Sequence, residues 1–311
     1  MTAPTTAPRQ VLSRGDRVFS RTAIASGSMI LVILAAVAVF LIVQSLPAFV
    51  ATSDTASVLT TNFWGYVGPL VFGTVWAAVL ALIIALPLSI GIALFISHYA
   101  PRRLSAVLGY LIDLLSAVPS VVYGLWGILV LAPAVRPLYV WLNEHMGWIP
   151  LFSGTASGTG RTILTAAIVL AVMILPVMTA ISREVFLQAP KLNEEAALAL
   201  GATRWEMIRL SVLPFAKPGI ISGAMLGLGR ALGETMAVAM VLSASGVVSF
   251  KLLTADNPST IAANIALTFP EAYGENVNVL IATGLILFIV TFLVNALARW
   301  IVSRQTARTG A

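Results

Sequence analysis

The apolar positions of this chain neither alternate as in a half-buried strand nor recur every three or four residues as on a surface helix. They come in runs of roughly 18 residues or more, the length an α-helix needs to cross the hydrocarbon of a bilayer. Six such runs stand out, at about 22–46, 70–98, 105–133, 162–182, 217–243 and 277–299. The pattern predicts an all-α polytopic membrane protein with six transmembrane helices. Several runs carry proline, at Pro87, Pro119 and Pro176. Within a helix bundle these read as kinks, because neighbouring helices can satisfy the carbonyls that proline frees. The alternative is that they serve as hinges. The first run follows a basic, polar stretch as a secretion signal would, but it is longer than the usual signal core of about 7–15 residues and reads as a retained anchor.

Composition agrees with the pattern. The 311 residues are 59% hydrophobic and 10% charged, against about 25% charged in ordinary soluble proteins, and the mean hydropathy is +0.97. The formal net charge of +6 is spread over the breaks between apolar runs instead of forming one dense patch, so it does not point to nucleic acid. Arg9, Arg14, Arg17, Arg21, Arg102, Arg103, Arg183, Lys191, Arg204, Arg209, Lys217, Arg299, Arg304 and Arg308 fall on one face. Arg136, Arg161 and Lys251 fall on the other, so the positive-inside rule makes both termini cytoplasmic. The expected organisation is a tail over 1–21, expected to be loosely ordered, a permease-like domain over 22–299 with a cytoplasmic loop at about 183–216, and a second tail over 300–311. No cysteine is present, which excludes disulfides and thiolate metal sites.

Signals of catalysis are weak. Thr155 to Thr162, "TASGTGRT", has Thr155 at the first glycine position of a phosphate-binding loop and Arg161 at the lysine position, and reads as a plain outer loop. His98 and His145 fall at opposite membrane faces, with no H-E-x-x-H helix. No metal and no cofactor bound by this chain is expected.

The segment Leu192 to Ile220 is more informative. It contains Glu195-Ala196-Ala197, then Gly201, then Leu213-Pro214, with two short amphipathic patterns flanking the glycine, and reads as helix, turn, helix, proline stop. Either a surface hairpin or a docking element fits, since the small residues at the bend would let another backbone approach. This spacing resembles the EAA motif of ABC-importer permeases of the MetI-like family, with Ser211 where isoleucine is usual. "GLGRALGETMAV" (Gly227 to Val238), "PSVVYGLWG" (Pro119 to Gly127) and "ALGATRWEMI" (Ala199 to Ile208) resemble, within that family, the permeases of high-affinity phosphate importers. The resemblance implies the MetI-like fold, and Glu195, Ala196, Ala197, Gly201, Leu213 and Pro214 as the element that couples to an ATPase. It also implies a heterodimer with a PstA-like permease, two PstB-like ATPase subunits that use ATP and Mg, and a PstS-like phosphate-binding protein.

Arg230 and Glu234 lie in the fifth run. Arg230 follows Lys217 by thirteen residues, about 20 Å of helix at about 1.5 Å per residue, which puts it near the bilayer midplane. A lipid-exposed charge there costs roughly 2.5–3.5 kcal/mol on insertion scales, so the pair is expected to face the bundle interior. The i,i+4 spacing lets the two neutralise each other. One reading is an ion pair that fixes packing. The other makes Arg230 the waypoint of an anion whose oxygens its planar fork holds two at a time, with Glu234 as internal counter-ion. Gly227, Gly229 and Gly233 would allow close packing or passage. Asp113 is a further acid in the third run, suited to an interfacial position. The rival functions are a permease for another oxyanion (molybdate, sulfate or phosphonate), a passive channel, and an intramembrane hydrolase.

Overall fold

The computed structural model describes residues 13–309 other than 54, 60 and 61, leaving undescribed the side chains of residue 14 and of residues 301–309. The helices are α1 (Arg14–Ser45), α2 (Phe63–Leu94), α3 (Arg102–Ser116), α4 (Ser120–Trp126), α5 (Ala132–Met146), α6 (Ile163–Leu187), α7 (Lys191–Ala199), α8 (Arg204–Met207), α9 (Leu213–Leu232), α10 (Met236–Val241), α11 (Ile261–Thr268) and α12 (Glu275–Thr309). Among the described residues six helical stretches are long and apolar enough to cross a membrane: Gly15–Phe49, Phe63–Tyr99, Ser120–Met146, Ile163–Leu187, Arg204–Leu232 and Glu275–Trp300.

Several boundaries differ from the hydropathy reading. The stretch expected to open the third span is instead α3, a separate amphipathic helix. It buries Gly109 and Ile112 while exposing Val107, Tyr110, Leu111, Leu114 and Leu115. Asp113 therefore lies on α3 and outside the third span, which starts after Pro119. Pro119, extended at φ −59° and ψ 140°, lies outside the helix as its N-cap. Arg136, expected in an outer loop, is inside α5. The fifth span begins at Arg204, so the polar connection to it is shorter than 183–216. At the chain ends, α1 starts at Arg14 and α12 runs to Thr309, so residues 14–21 of the expected N-terminal tail and 300–309 of the C-terminal one are helical. The Ser13 hydroxyl accepts from the Asp16 amide at 3.1 Å and the Asp16 carboxylate from the Ser13 amide at 2.9 Å, a reciprocal cap. Residues 1–12 of the expected N-terminal tail and 310–311 of the C-terminal one lie outside the described residues.

Pro214 does not stop a helix as its sequence context suggests. A π turn over Ile208–Val212 joins α8 to α9, and another over Gly127–Leu131 joins α4 to α5 just before Pro133. Each wider turn shifts the hydrogen-bond register ahead of a residue with no N–H to donate, so the helix continues through the proline.

α6 is the centre of the bundle, packed between α2 and α9 and against α3. Small residues make that possible: Ala77, Ala78, Ala81 and Ala85 of α2 and Ala166, Ala167 and Ala171 of α6 are all buried. Without water to drive helices together inside lipid, close backbone approach and van der Waals contact supply the association. α1 lies outside this core against α12. At the end of the bundle away from α7, the 242–260 segment folds over the start of α6. Asn257, fully buried, holds it there: its amide donates to the carbonyls of Ser243 and Thr254 at 3.1 Å each, and its oxygen accepts from the Ile163 amide at 3.0 Å.

Candidate functional site

The element carrying Glu195, Ala196, Ala197 and Gly201 is α7, which projects from the end of the bundle with none of its residues buried. Its C-terminus closes as a Schellman turn. The Gly201 amide donates to the Leu198 carbonyl at 3.0 Å and the Ala202 amide to the Ala197 carbonyl at 3.2 Å. Gly201 adopts φ +86°, in the left-handed region, so glycine is required there for the backbone and not for want of space; nothing lies within 4 Å of an added Cβ. Ala197 and Leu213 pack on a buried layer of Ala93, Leu94, Phe186, Met207, Ile208 and Val212 beneath. Leu192, Leu198, Leu200 and Trp205 stay exposed, Leu200 at 89%. Ser211, the departure from the motif, has a use of its own: its hydroxyl donates to the Asn193 carbonyl at 3.2 Å, tying the fifth span to the first turn of α7.

Beside α7 is a cavity of about 430 Å³ lined by Ser97, His98, Arg102, Ser105, Lys191, Glu194 and Glu195, among others. His98 Nε2 is 3.8 Å from a Glu194 oxygen, and its Nδ1 is 2.7 Å from the Ser97 hydroxyl. That hydroxyl also donates to the Ala93 carbonyl at 2.8 Å. Nothing in the spacing of the sequence joins position 98 to position 194. Only the fold brings the end of the second span against α7.

Arg230 and Glu234 do not form the expected pair. α9 ends at Leu232, and Gly233 and Thr235 separate it from α10. Glu234 turns inward, 8% exposed, and its carboxylate accepts the Ala237 amide at 3.0 Å in the first turn of α10. Among the described residues the one ion-pair contact within 4.0 Å is that of His98 with Glu194. Arg230, half-buried, instead lines a cavity of about 770 Å³ between α6, α9 and α12, whose wall also includes Ser222, Gly229, Asn295 and Arg299. The glycines divide by role. A Cβ on Gly227 would come within 2.8 Å of the Met178 sulfur of α6, so Gly227 serves close packing, whereas Gly229 opens onto the cavity with nothing within 4 Å. Asn295 and Arg299 went unassigned as site residues in the sequence, because a basic residue near the end of the last apolar run carries the same signal as a topology marker.

A six-span helical bundle with a short amphipathic helix, none of it buried, at one end and an arginine lining a cavity among its spans fits a membrane transport component. The chain belongs to the family described as binding-protein-dependent transport system inner membrane components, whose model matches residues 85–307. It is 46% identical over 298 residues to the phosphate transport system permease protein PstC 2 of Mycobacterium tuberculosis, covering 92% of this chain and 91% of that one. It is 41% identical over 308 residues to the phosphate transport system permease protein PstC of Mesorhizobium japonicum, covering 95% and 92%. The fold is similar to that of a bacterial ABC transporter involved in importing the acidic polysaccharide alginate, with a TM-score of 0.63 at 15% identity over 94% of this chain and 96% of that one. It is also similar to the MetNI methionine ABC transporter in an inward-facing conformation, with a TM-score of 0.56 at 15% identity over 77% and 95%. The all-α MetI-like permease architecture expected from the sequence is thus the fold of the chain, and as a family member it is a transport subunit, not an enzyme.

Proposed function

We propose that this chain is a permease subunit of a phosphate importer and forms half of the transmembrane pathway for inorganic phosphate. The observation that carries the reading is Arg230, a permanent cation without an ion-pair partner among the described residues, lining a cavity between spans, in a chain 46% identical to a phosphate transport permease. A guanidinium presents paired N–H donors that match two phosphate oxygens and replace part of the hydration the anion loses. Glu234, engaged by the Ala237 amide, leaves that fork free for an anion.

The partners proposed are a PstA-like permease completing the pathway, two PstB-like ATPases and a PstS-like phosphate-binding protein. ATP and Mg are used on the ATPases. The exposed leucines on and beside α7 and the small residues Ala196 and Gly201 suit insertion into a groove of an ATPase, with Glu195 on the rim, while Ala197 and Leu213 seat the helix on the buried layer beneath and Pro214 follows at the start of α9. Both termini then face the cytoplasm.

Radiolabelled phosphate uptake by the reconstituted complex, with sulfate, molybdate and phosphonate as competitors, tests the substrate. Uptake that only unlabelled phosphate suppresses is expected. Uptake suppressed equally by another of these oxyanions would replace phosphate with that anion.

A further inference from the structure

The cavity that holds Arg230 has a second cation, and nothing in the proposed pathway accounts for it. Asn295 and Arg299 are four residues apart on α12, so they share one face of that helix, and both line the cavity with Arg230. Arg299 lies at the end of the Glu275–Trp300 span. Among the described residues neither Arg230 nor Arg299 has an ion-pair partner, although most of the remaining wall is apolar: Val177, Ile221, Met225, Leu226 and Ala298. Two guanidiniums bordering one largely apolar wall raise the positive potential along it and favour an anion there; Arg230 is half-buried, while Asn295 and Arg299 are exposed toward the end of their span.

The wall also has length. Ile221 and Arg230 border the same cavity, and nine residues of helix correspond to about 13 Å. α9 and α12 belong to successive crossings and so run antiparallel. Arg299 therefore lies toward the Ile221 end, on the side of the bundle from which α7 projects, and Asn295 lies one turn nearer Arg230.

We propose that Asn295 and Arg299 of α12 complete, with Arg230 of α9, a binding site for a phosphate group, in which the α12 pair takes the anion on the α7 side of Arg230. This inference rests on Arg230 being an anion waypoint and adds to it a specific exit-side partner. A tetrahedral oxyanion offers enough oxygens for the Arg299 fork and the Asn295 amide together, and it passes from them to the Arg230 fork further along the wall. A carboxylate, with two oxygens, does not offer enough for both, so the arrangement selects for phosphate-like anions. The same chemistry is present in free phosphate and in the headgroup of an anionic phospholipid entering from the bilayer, and the experiment separates the two.

The complete transporter, without its binding protein, is placed in nanodiscs of phosphatidylcholine alone, and binding of radiolabelled inorganic phosphate is measured for wild type, Arg299→Gln, Arg299→Lys and Asn295→Ala. Each value is normalised to assembled complex. Arg299→Gln and Asn295→Ala are expected to raise the half-saturating phosphate concentration about tenfold, the loss of one charge-assisted hydrogen bond, with Arg299→Lys between them and wild type. A parallel set with phosphatidylglycerol in the discs is read by native mass spectrometry. A phosphatidylglycerol retained by wild type and lost by Arg299→Gln and Asn295→Ala, with phosphate affinity unchanged, supports the site with the headgroup as its occupant. If all variants match wild type in both sets, the inference is overturned, as it is if a carboxylate of the partner permease proves to fill the cavity. Phosphate uptake by wild type is measured alongside. Uptake with unaltered variants sinks the α12 site and leaves the transport reading standing, whereas no phosphate uptake by wild type sinks the transport reading and leaves the binding data to decide the site.

Discussion

At Arg230, charge and geometry can be separated by substitution. The sequence placed Arg230 and Glu234 on one helical face, and the spacing was right for a continuous helix. What it could not show was that α9 stops at Leu232 and that Glu234 is used by the Ala237 amide. Gly229 and Gly233 alone do not announce a break, because glycine inside a membrane helix is common and a short apolar helix resumes at Met236. Arg230→Lys keeps the charge and roughly the reach but loses the fork. With no ion pair to Glu234 to preserve, the expected outcome is normal assembly with phosphate uptake lowered at least about tenfold, in line with the loss of a bidentate contact. Uptake in reconstituted vesicles, normalised to assembled complex, is the measurement. Undiminished uptake would remove Arg230 from the pathway. Glu234→Gln retains an oxygen for the Ala237 amide, so assembly is expected to persist, whereas Glu234→Ala leaves that amide without its acceptor and is expected to cost about 1–3 kcal/mol, seen as a lower Tm.

The elements show which signals in the sequence were sufficient. α7 and its turn were legible because the chemistry is local: Gly201 is fixed by its own φ, and the Schellman bonds lie within six residues. α3 was misread as part of a span because averaged hydropathy hides a stripe. Its apolar residues fall on one side, and the break at Pro119 does not interrupt the apolar run. The π turns were invisible, since a sequence marks the proline that needs one and not the turn that provides it. Substitutions at two glycines test the roles. Gly201→Asn should be tolerated, because asparagine visits the left-handed region, and Gly201→Ala should cost about 1–2 kcal/mol of local strain. Gly201→Trp faces open space in the isolated subunit, so beyond strain its expected effect is loss of the ATPase subunit on co-purification while the permease remains inserted. If Gly201→Trp and Gly201→Ala retain the ATPase equally, docking does not run through this turn. Gly227→Leu, by contrast, drives side-chain atoms into Met178, where a Cβ alone comes within 2.8 Å of the sulfur. It is expected to lower the stability of the α6–α9 contact by about 1–3 kcal/mol, read as a fall in Tm in detergent.

For the whole molecule, the number of spans was legible and their placement partly so, because the cost of burying backbone in lipid acts on every helix while the packing that sets its ends does not appear in composition. The orientation of the bundle is an expectation from the lysine and arginine bias alone, and it decides whether α7 can reach an ATPase at all. The chain has no cysteine, so single cysteines test orientation directly. Ser157 and Ser259, polar positions in connecting segments, are unsuitable as probes, being 2% and 6% exposed. Thr155, exposed, and Tyr273, 79% exposed, lie on connections at the end of the bundle away from α7, and Leu200, 89% exposed, is at the α7 end. With the termini cytoplasmic, an impermeant maleimide should label Thr155→Cys and Tyr273→Cys in intact cells and leave Leu200→Cys unlabelled. In inverted membrane vesicles stripped of the ATPase the order should reverse, and adding the ATPase subunit back should shield Leu200→Cys, because the exposed leucines of α7 are then covered. Labelling of Leu200→Cys from outside intact cells would invert the topology and, with it, put α7 out of reach of any cytoplasmic partner. Labelling in inverted vesicles that the ATPase does not suppress would keep the orientation and remove Leu200 from the docking surface.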